Sequence, residues 1–111
     1  MLDHERLDVY QAAVQFLALT HAVLQRLPRG NAKIADQLGR ASLSISVNIG
    51  EGTGKRSKND RARFYEYSRG SAMECGALFD ALCVMDLVDE ESHAKAKELL
   101  VRIVSMLSKM C

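Results

Sequence analysis

Tryptophan is absent from this chain, proline occurs once, at Pro28, and glycine only seven times. So few backbone breakers, set among abundant Ala, Leu and Met, favour helices over strands. No uninterrupted apolar run approaches the ~20 residues that a membrane span requires. The opening MLDHERLD lacks the basic-then-apolar order of a signal peptide, so no membrane partner and a cytoplasmic location are expected. Cysteine is scarce and odd in number: Cys75, Cys83 and Cys111, with no C-x-x-C. That arithmetic favours reduced thiols over a disulfide framework or a zinc ribbon.

What is present is a 48% apolar chain of 111 residues, enough for one domain that buries roughly two-thirds of its unfolded surface. The net charge of +1 conceals an asymmetry. Between Arg26 and Arg69 there are ten Lys/Arg against four Asp/Glu, whereas the remainder holds five against ten. The basic residues concentrate in GKRSKNDRARF, where Lys55, Arg56, Lys58, Arg61 and Arg63 surround the single carboxylate of Asp60. Such a cluster suits an anionic partner, or the acidic half of a neighbouring subunit.

Hydrophobic periodicity predicts four helices, over about 3–27, 32–54, 59–86 and 90–110. In the first, Leu7, Tyr10, Val14, Leu17, His21 and Leu24 alternate by three and four, and this stripe is expected to face the core. Pro28 and Gly30 stop it. Ile34, Leu38, Ala41, Ile45, Ile49 and Gly52 form the second stripe. Ser57 and Asn59 are candidate N-caps for the third helix, with Phe64, Tyr67 or Ser68, Ser71, Cys75, Leu78, Leu82 and Met85 along one side. Asp89, Glu90 and Glu91 suit the positive end of the fourth, whose stripe is Ala96, Leu99, Leu100, Ile103, Leu107 and Met110. Helices of this length joined by short loops specify an all-α, antiparallel up-down-up-down four-helix bundle.

The first helix carries a second apolar stripe, Val9, Ala12, Phe16, Leu19 and Val23, and the second helix carries Leu43 and Val47 nearly opposite its core stripe. A bundle helix needs one apolar face. The surplus predicts a homo-oligomer interface through Val9, Phe16, Leu19, Val23, Leu43 and Val47.

The stretch Gly50-Glu51-Gly52-Thr53-Gly54-Lys55 looks like a phosphate-binding loop, yet its spacing fails. A P-loop needs glycine five residues before the Gly-Lys pair, where Ile49 stands, and a hydroxyl after the lysine, where Arg56 stands. A dinucleotide fingerprint needs a third glycine in register and a preceding strand, and neither is present. Glycines inside a helix cost about 1 kcal/mol each relative to alanine, so close approach of a neighbouring helix is the expected reason for them. Asn48 and Glu51 at the edge of that face are expected to join Ser71 in an interhelical polar network.

Catalytic constellations fail in turn. One Glu-x-x-His, Glu90 to His93, is half of what a di-iron bundle needs. His4 and His21 have no ligand partners at helical spacing, and Cys75 and Cys83 point to different sides of one helix. No catalytic residue, metal or cofactor is expected.

Asn48-Ile49-Gly50-Glu51-Gly52-Thr53-Gly54-Lys55-Arg56-Ser57, then Arg63-Phe64-Tyr65 and Arg69-Gly70-Ser71-Ala72-Met73-Glu74, resembles the pattern of the 23S ribosomal RNA intervening-sequence proteins. That pattern is close to N-I-A-E-G-x-G-R-x-S, then R-F-x, then A-x-G-S-x-x-E. Leu7-Asp8-Val9-Tyr10-Gln11 is similar to the family's usual start. Gly50 replaces the family's alanine, Lys55 its arginine, and Ser68-Arg69-Gly70 a more apolar approach to the Gly-Ser pair. The resemblance implies a bacterial cytosolic helical bundle, a ring-like pentamer, and no known enzymatic activity. A distant relative, the accessory protein of diversity-generating retroelements, is a basic pentamer linked to nucleic acid. Two functions follow as expectations: an oligomer that binds RNA or DNA through the basic corner, or a module that binds only protein.

Overall fold

The computed structural model describes all 111 residues. It contains a 3-10 turn over Asp3–Arg6 and four helices: α1 (Asp8–Gln25), α2 (Ala32–Thr53), α3 (Lys58–Val84) and α4 (Glu90–Met110). There are no strands. The first helix begins later than its periodicity suggests because Leu7 is extended (φ −79°, ψ 130°). The Glu5 carboxylate accepts the Leu2 amide at 2.7 Å, which holds the preceding turn as a separate element.

Local chemistry sets the remaining ends. Gly30 adopts φ +95° between α1 and α2, a conformation that L side chains rarely take. Ser57 Oγ accepts the Asp60 amide at 3.0 Å, capping α3. Asp89 accepts the Ser92 amide at 2.7 Å, capping α4. Past the end of α3, Asp86 turns left-handed (φ 58°), while the Leu87 amide reaches back to the Leu82 carbonyl at 2.8 Å and the Asp86 amide to Cys83 at 3.1 Å. These two bonds close a Schellman motif.

Each helix packs on the next and α1 also packs on α4, whereas the backbones of α1 and α3, and of α2 and α4, do not come close across the diagonal, where side chains alone meet. Along the α2–α3 seam, Gln37 meets Glu74, Ser44 meets Ser71, and Ile45 meets Ser68. Along α3–α4, Asp80 meets His93 and Lys97, and Arg69 meets Ser108. The core runs the length of a body 44 × 24 × 22 Å in extent. At its centre the rings of Phe16 and Phe79 meet edge to face, centroids 5.7 Å apart.

The stripes of α2 and α4 are buried as their periodicity predicts: Leu38, Ala41, Ile45, Ile49 and Gly52 on one, Ala96, Leu100, Ile103 and Leu107 on the other. On α1 the buried face centres on the second stripe, while Leu7, Tyr10 and Leu24 of the first are half-buried against the same core. Val9, Ala12, Ala13, Phe16, Thr20 and Val23 are buried, while Val14 and His21 are exposed. Val9, Phe16 and Val23 therefore cannot form an interface between copies, because a single chain already covers them, and Leu19 is partly buried against the same core. Only Leu43 and Val47 of that expected interface stand on the surface. Phe16 is the reason: its ring fills the centre of the bundle against Phe79, and the neighbouring alanines let α1 approach closely. On α3 the face is turned by about one residue. Tyr65, Ser68, Ala72, Cys75, Phe79 and Leu82 are buried, whereas Tyr67 and Met85 are exposed.

Candidate nucleic-acid interface

The glycine-rich end of α2 is shaped by helix packing. A Cβ on Gly52 would lie 2.9 Å from Phe64 Cβ and 3.0 Å from Tyr65 Cε1, closer than real atoms approach. Only glycine lets the first turn of α3 come so near. Close approach of a neighbouring helix accounts for Gly52 alone: an added Cβ on Gly50 would meet the His4 ring at 3.7 Å, and one on Gly54 only the carbonyl oxygens of Glu51 and Gly50. Thr53 Oγ1 donates to the Ile49 carbonyl at 2.8 Å, so the Tyr65 hydroxyl, 2.9 Å away, donates to Thr53. Tyr65 is thereby committed to the interior.

This packing fixes the short link from α2 to α3, on which the basic cluster is mounted. The five cations do not play one role. Arg61 reaches back, its Nη1 donating to the carbonyls of Lys55 at 3.1 Å and Arg56 at 2.7 Å. It satisfies two carbonyls of the α2–α3 link and so holds the loop shape. Arg63 lies 3.6 Å from the Asp60 carboxylate. Lys55, Arg56 and Lys58 are exposed and make no salt bridge.

An aromatic pair adjoins these charges. Lys55 Nζ lies 5.1 Å from the centroid of Phe64, and the Arg63 guanidinium 5.5 Å from it. Both are within cation–π range. Phe64 also meets the exposed Tyr67 edge to face, centroids 5.6 Å apart. The aromatic residue open to a base at this corner is thus Tyr67 rather than Tyr65, the reverse of what periodicity suggests. The chemistry on offer is unpaired positive charge on a braced loop, beside a flat π-surface.

The polar network forms in part. Asn48 Nδ2 donates to the Ser44 carbonyl at 2.9 Å and to Ser44 Oγ at 2.8 Å, and Ser44 Oγ meets Ser71 Oγ at 2.9 Å. Glu51 takes no part. It is exposed, one turn nearer the end of α2, where the bonds of this network do not reach. Ser44, missed by the sequence reading, is the link between Asn48 and Ser71. Its signal is spacing, one turn before Asn48.

A second cluster was not anticipated. His93 Nε2 lies 3.0 Å from Asp80 Oδ1, and Lys97 Nζ lies 2.9 Å from the same atom. Hydrogen bonds from His93 and then Lys97 hold the Asp80 carboxyl below the usual carboxylate range. The cluster ties α4 to α3. No group of three or more His, Cys, Asp or Glu side chains is placed to hold a metal ion. The Cys75 thiol is pushed up to about 12, first by burial and then by Glu74, which leaves it protonated and unreactive. Cys83, on the same helix, is exposed. No helix is long and apolar enough to cross a membrane.

The family described as 23S rRNA-intervening sequence protein matches residues 5–109, nearly the whole chain, and the chain belongs to that family. No curated protein is matched.

Proposed function

We propose that this member of the 23S rRNA-intervening sequence protein family is a non-enzymatic, up-down-up-down helical bundle that binds nucleic acid through the α2–α3 corner. It assembles with further copies of itself, in the ring-like pentamer that the family resemblance implies, and works in the bacterial cytoplasm without a cofactor. The observation that carries the reading is the set of three cations, Lys55, Arg56 and Lys58, that no carboxylate pairs, on a loop whose carbonyls Arg61 already satisfies. Charge of this kind is free to replace the counterions of a phosphate backbone. Tyr67 supplies a stacking surface alongside, and repetition around an assembly multiplies a weak contact through avidity.

The test is fluorescence anisotropy with labelled structured RNA and duplex DNA across a salt series. Binding should weaken steeply as salt rises. Lys55→Glu/Arg56→Glu/Lys58→Glu should abolish it while leaving the helical circular dichroism intact. A folded triple variant that binds as the parent does sinks the placement of the site. The alternative is a module that binds only protein. It is favoured by aliphatic side chains left uncovered on the bundle, among them Leu43 and Val47 of α2 and Val101 of α4, and absence of binding at low salt is the result that selects it.

A further inference from the structure

Two opposite sides of the bundle carry uncovered apolar surface, and their shapes differ. The first lies along the outer side of the α1–α2 seam, where Leu24 packs near Gly39 and His4 near Gly50. Val14 is 41% exposed there, Leu43 51% and Val47 50%. No Asp, Glu, Lys or Arg occurs between Val9 and Gln25 or between Ala41 and Gly50. Over these two stretches the outer faces are therefore uncharged, in a chain of which 26% is charged. Loss of charge around aliphatic side chains is the signature of an interface centre, not of a wet helix face.

The second surface is concave. Between α3 and α4 runs an open groove of about 570 Å³ whose lining includes Gly76, Ala77, Leu100 and Val104. Met73, 56% exposed, and Val101, 67% exposed, also line it. The small residues of α3 make the groove: an added Cβ on Gly76 would stand 3.9 Å from Leu100. Asp80 and Lys97, also in the lining, pair with each other at 2.9 Å, so the groove presents no uncompensated charge. Because the helix backbones neighbour one another in the cyclic order α1, α2, α3, α4 and do not come close across the diagonal, this seam lies opposite the first.

We infer that the α1–α2 ridge of one copy seats in the α3–α4 groove of the next, so that the contact is head-to-tail. The inference rests on the self-association proposed above and specifies its geometry. The occupant follows from complementarity within the chain. The groove wants an uncharged ridge of branched aliphatic side chains, and Val14, Leu43 and Val47 provide one. The salt bridge of Asp36 with Arg40, 3.2 Å, means that the part of α2 preceding the ridge also brings balanced charge. Two different faces on opposite sides cannot satisfy each other within a two-fold pair. Each added copy leaves one ridge and one groove free, so growth continues until a ring closes or a filament forms.

Light scattering coupled to size exclusion tests this on the full chain. The parent should exceed the 12.3 kDa of one chain several-fold. Leu43→Glu/Val47→Glu, which spoils only the ridge, and Met73→Glu/Val101→Glu, which spoils only the groove, should each fall to that mass. All four positions are exposed, and a cooperative helical melt confirms folding of each variant. Mixed in equal amounts, the two should form a dimer and nothing larger, because one intact ridge and one intact groove remain between them. A parent that is itself monomeric fails the self-association reading, and the inference with it. An oligomeric parent with oligomeric variants overturns the assignment of faces alone. Monomeric variants that stay monomeric on mixing overturn the head-to-tail geometry.

Discussion

Helices α1 and α4 are of similar length and both line the same core, yet only α4 declares its buried side. Along α4, Lys95, Lys97, Glu98, Arg102 and Lys109 alternate with Ala96, Leu100, Ile103 and Leu107, so the charges mark the wet face and leave one stripe to bury. Along α1 no charge interrupts the run from Val9 to Gln25, and two apolar stripes compete. Periodicity identifies both as helices. It takes charge to say which way a helix faces.

The largest effect that can break this comparison lies at the centre of α1. Phe16→Ala should cost about 3–5 kcal/mol, the range for removing a buried aromatic ring. Val14→Ala, two residues away on the outer side, should change stability by no more than about 0.5 kcal/mol. Urea unfolding followed by circular dichroism measures both, and equal costs would mean that α1 is not rotated as described.

A smaller effect sharpens the picture of the buried face. Thr20 is fully buried and its Oγ1 has no hydrogen-bond partner. Thr20→Val keeps the shape and removes the orphaned hydroxyl, so it should stabilise the bundle by about 1–2 kcal/mol. A loss of stability on the same substitution would show that the hydroxyl is satisfied in solution.

The smallest effect belongs to the pairing of α4 with α3 and is read through pH. Asp80 and Asp89 both titrate below the ordinary carboxylate range, Asp80 chiefly through the hydrogen bond from His93 and Asp89 chiefly through that from Ser92. A carboxyl depressed in the folded state binds fewer protons than when unfolded. Its contribution is therefore complete above the unfolded value of about 3.9 and is lost as pH falls through the folded value. Thermal melts should show the Asp80→Asn variant losing less Tm than the parent between about pH 5 and pH 2. Parallel curves would remove Asp80 from the account.

The candidate site was partly legible for the same reason that α4 was. A cluster of five cations around one carboxylate is visible in composition, and the structure gathers it at one corner. Its division of labour was not visible. Arg61 looks like Lys58 in the sequence, but its position one turn into α3 lets it reach the carbonyls of Lys55 and Arg56 in the link from α2. Likewise Tyr65 and Tyr67 differ by two residues, which on a helix is a little over half a turn. A shift of one position in the assumed face of α3 exchanges their roles. Ser42 and Ser46 were overlooked as core residues because serine reads as polar. Their hydroxyls donate to carbonyls of their own helix, Gly39 at 3.0 Å and Leu43 at 3.2 Å, and so bury without a foreign partner.

By itself the sequence determined the number of helices, their approximate ends and the family. These depend on local chemistry: Gly30 with its positive φ, the side-chain caps of Ser57 and Asp89, and the three-four spacing of apolar residues act within a few positions along the chain. Only the tertiary structure decided which side of α1 is buried, which tyrosine meets solvent and which arginine is spent on the loop. Those outcomes depend on what a neighbouring element presents, Phe79 to Phe16, Phe64 to Gly52, the α2–α3 link to Arg61. A helical stripe specifies that a face will be covered, and the packing partner specifies which one.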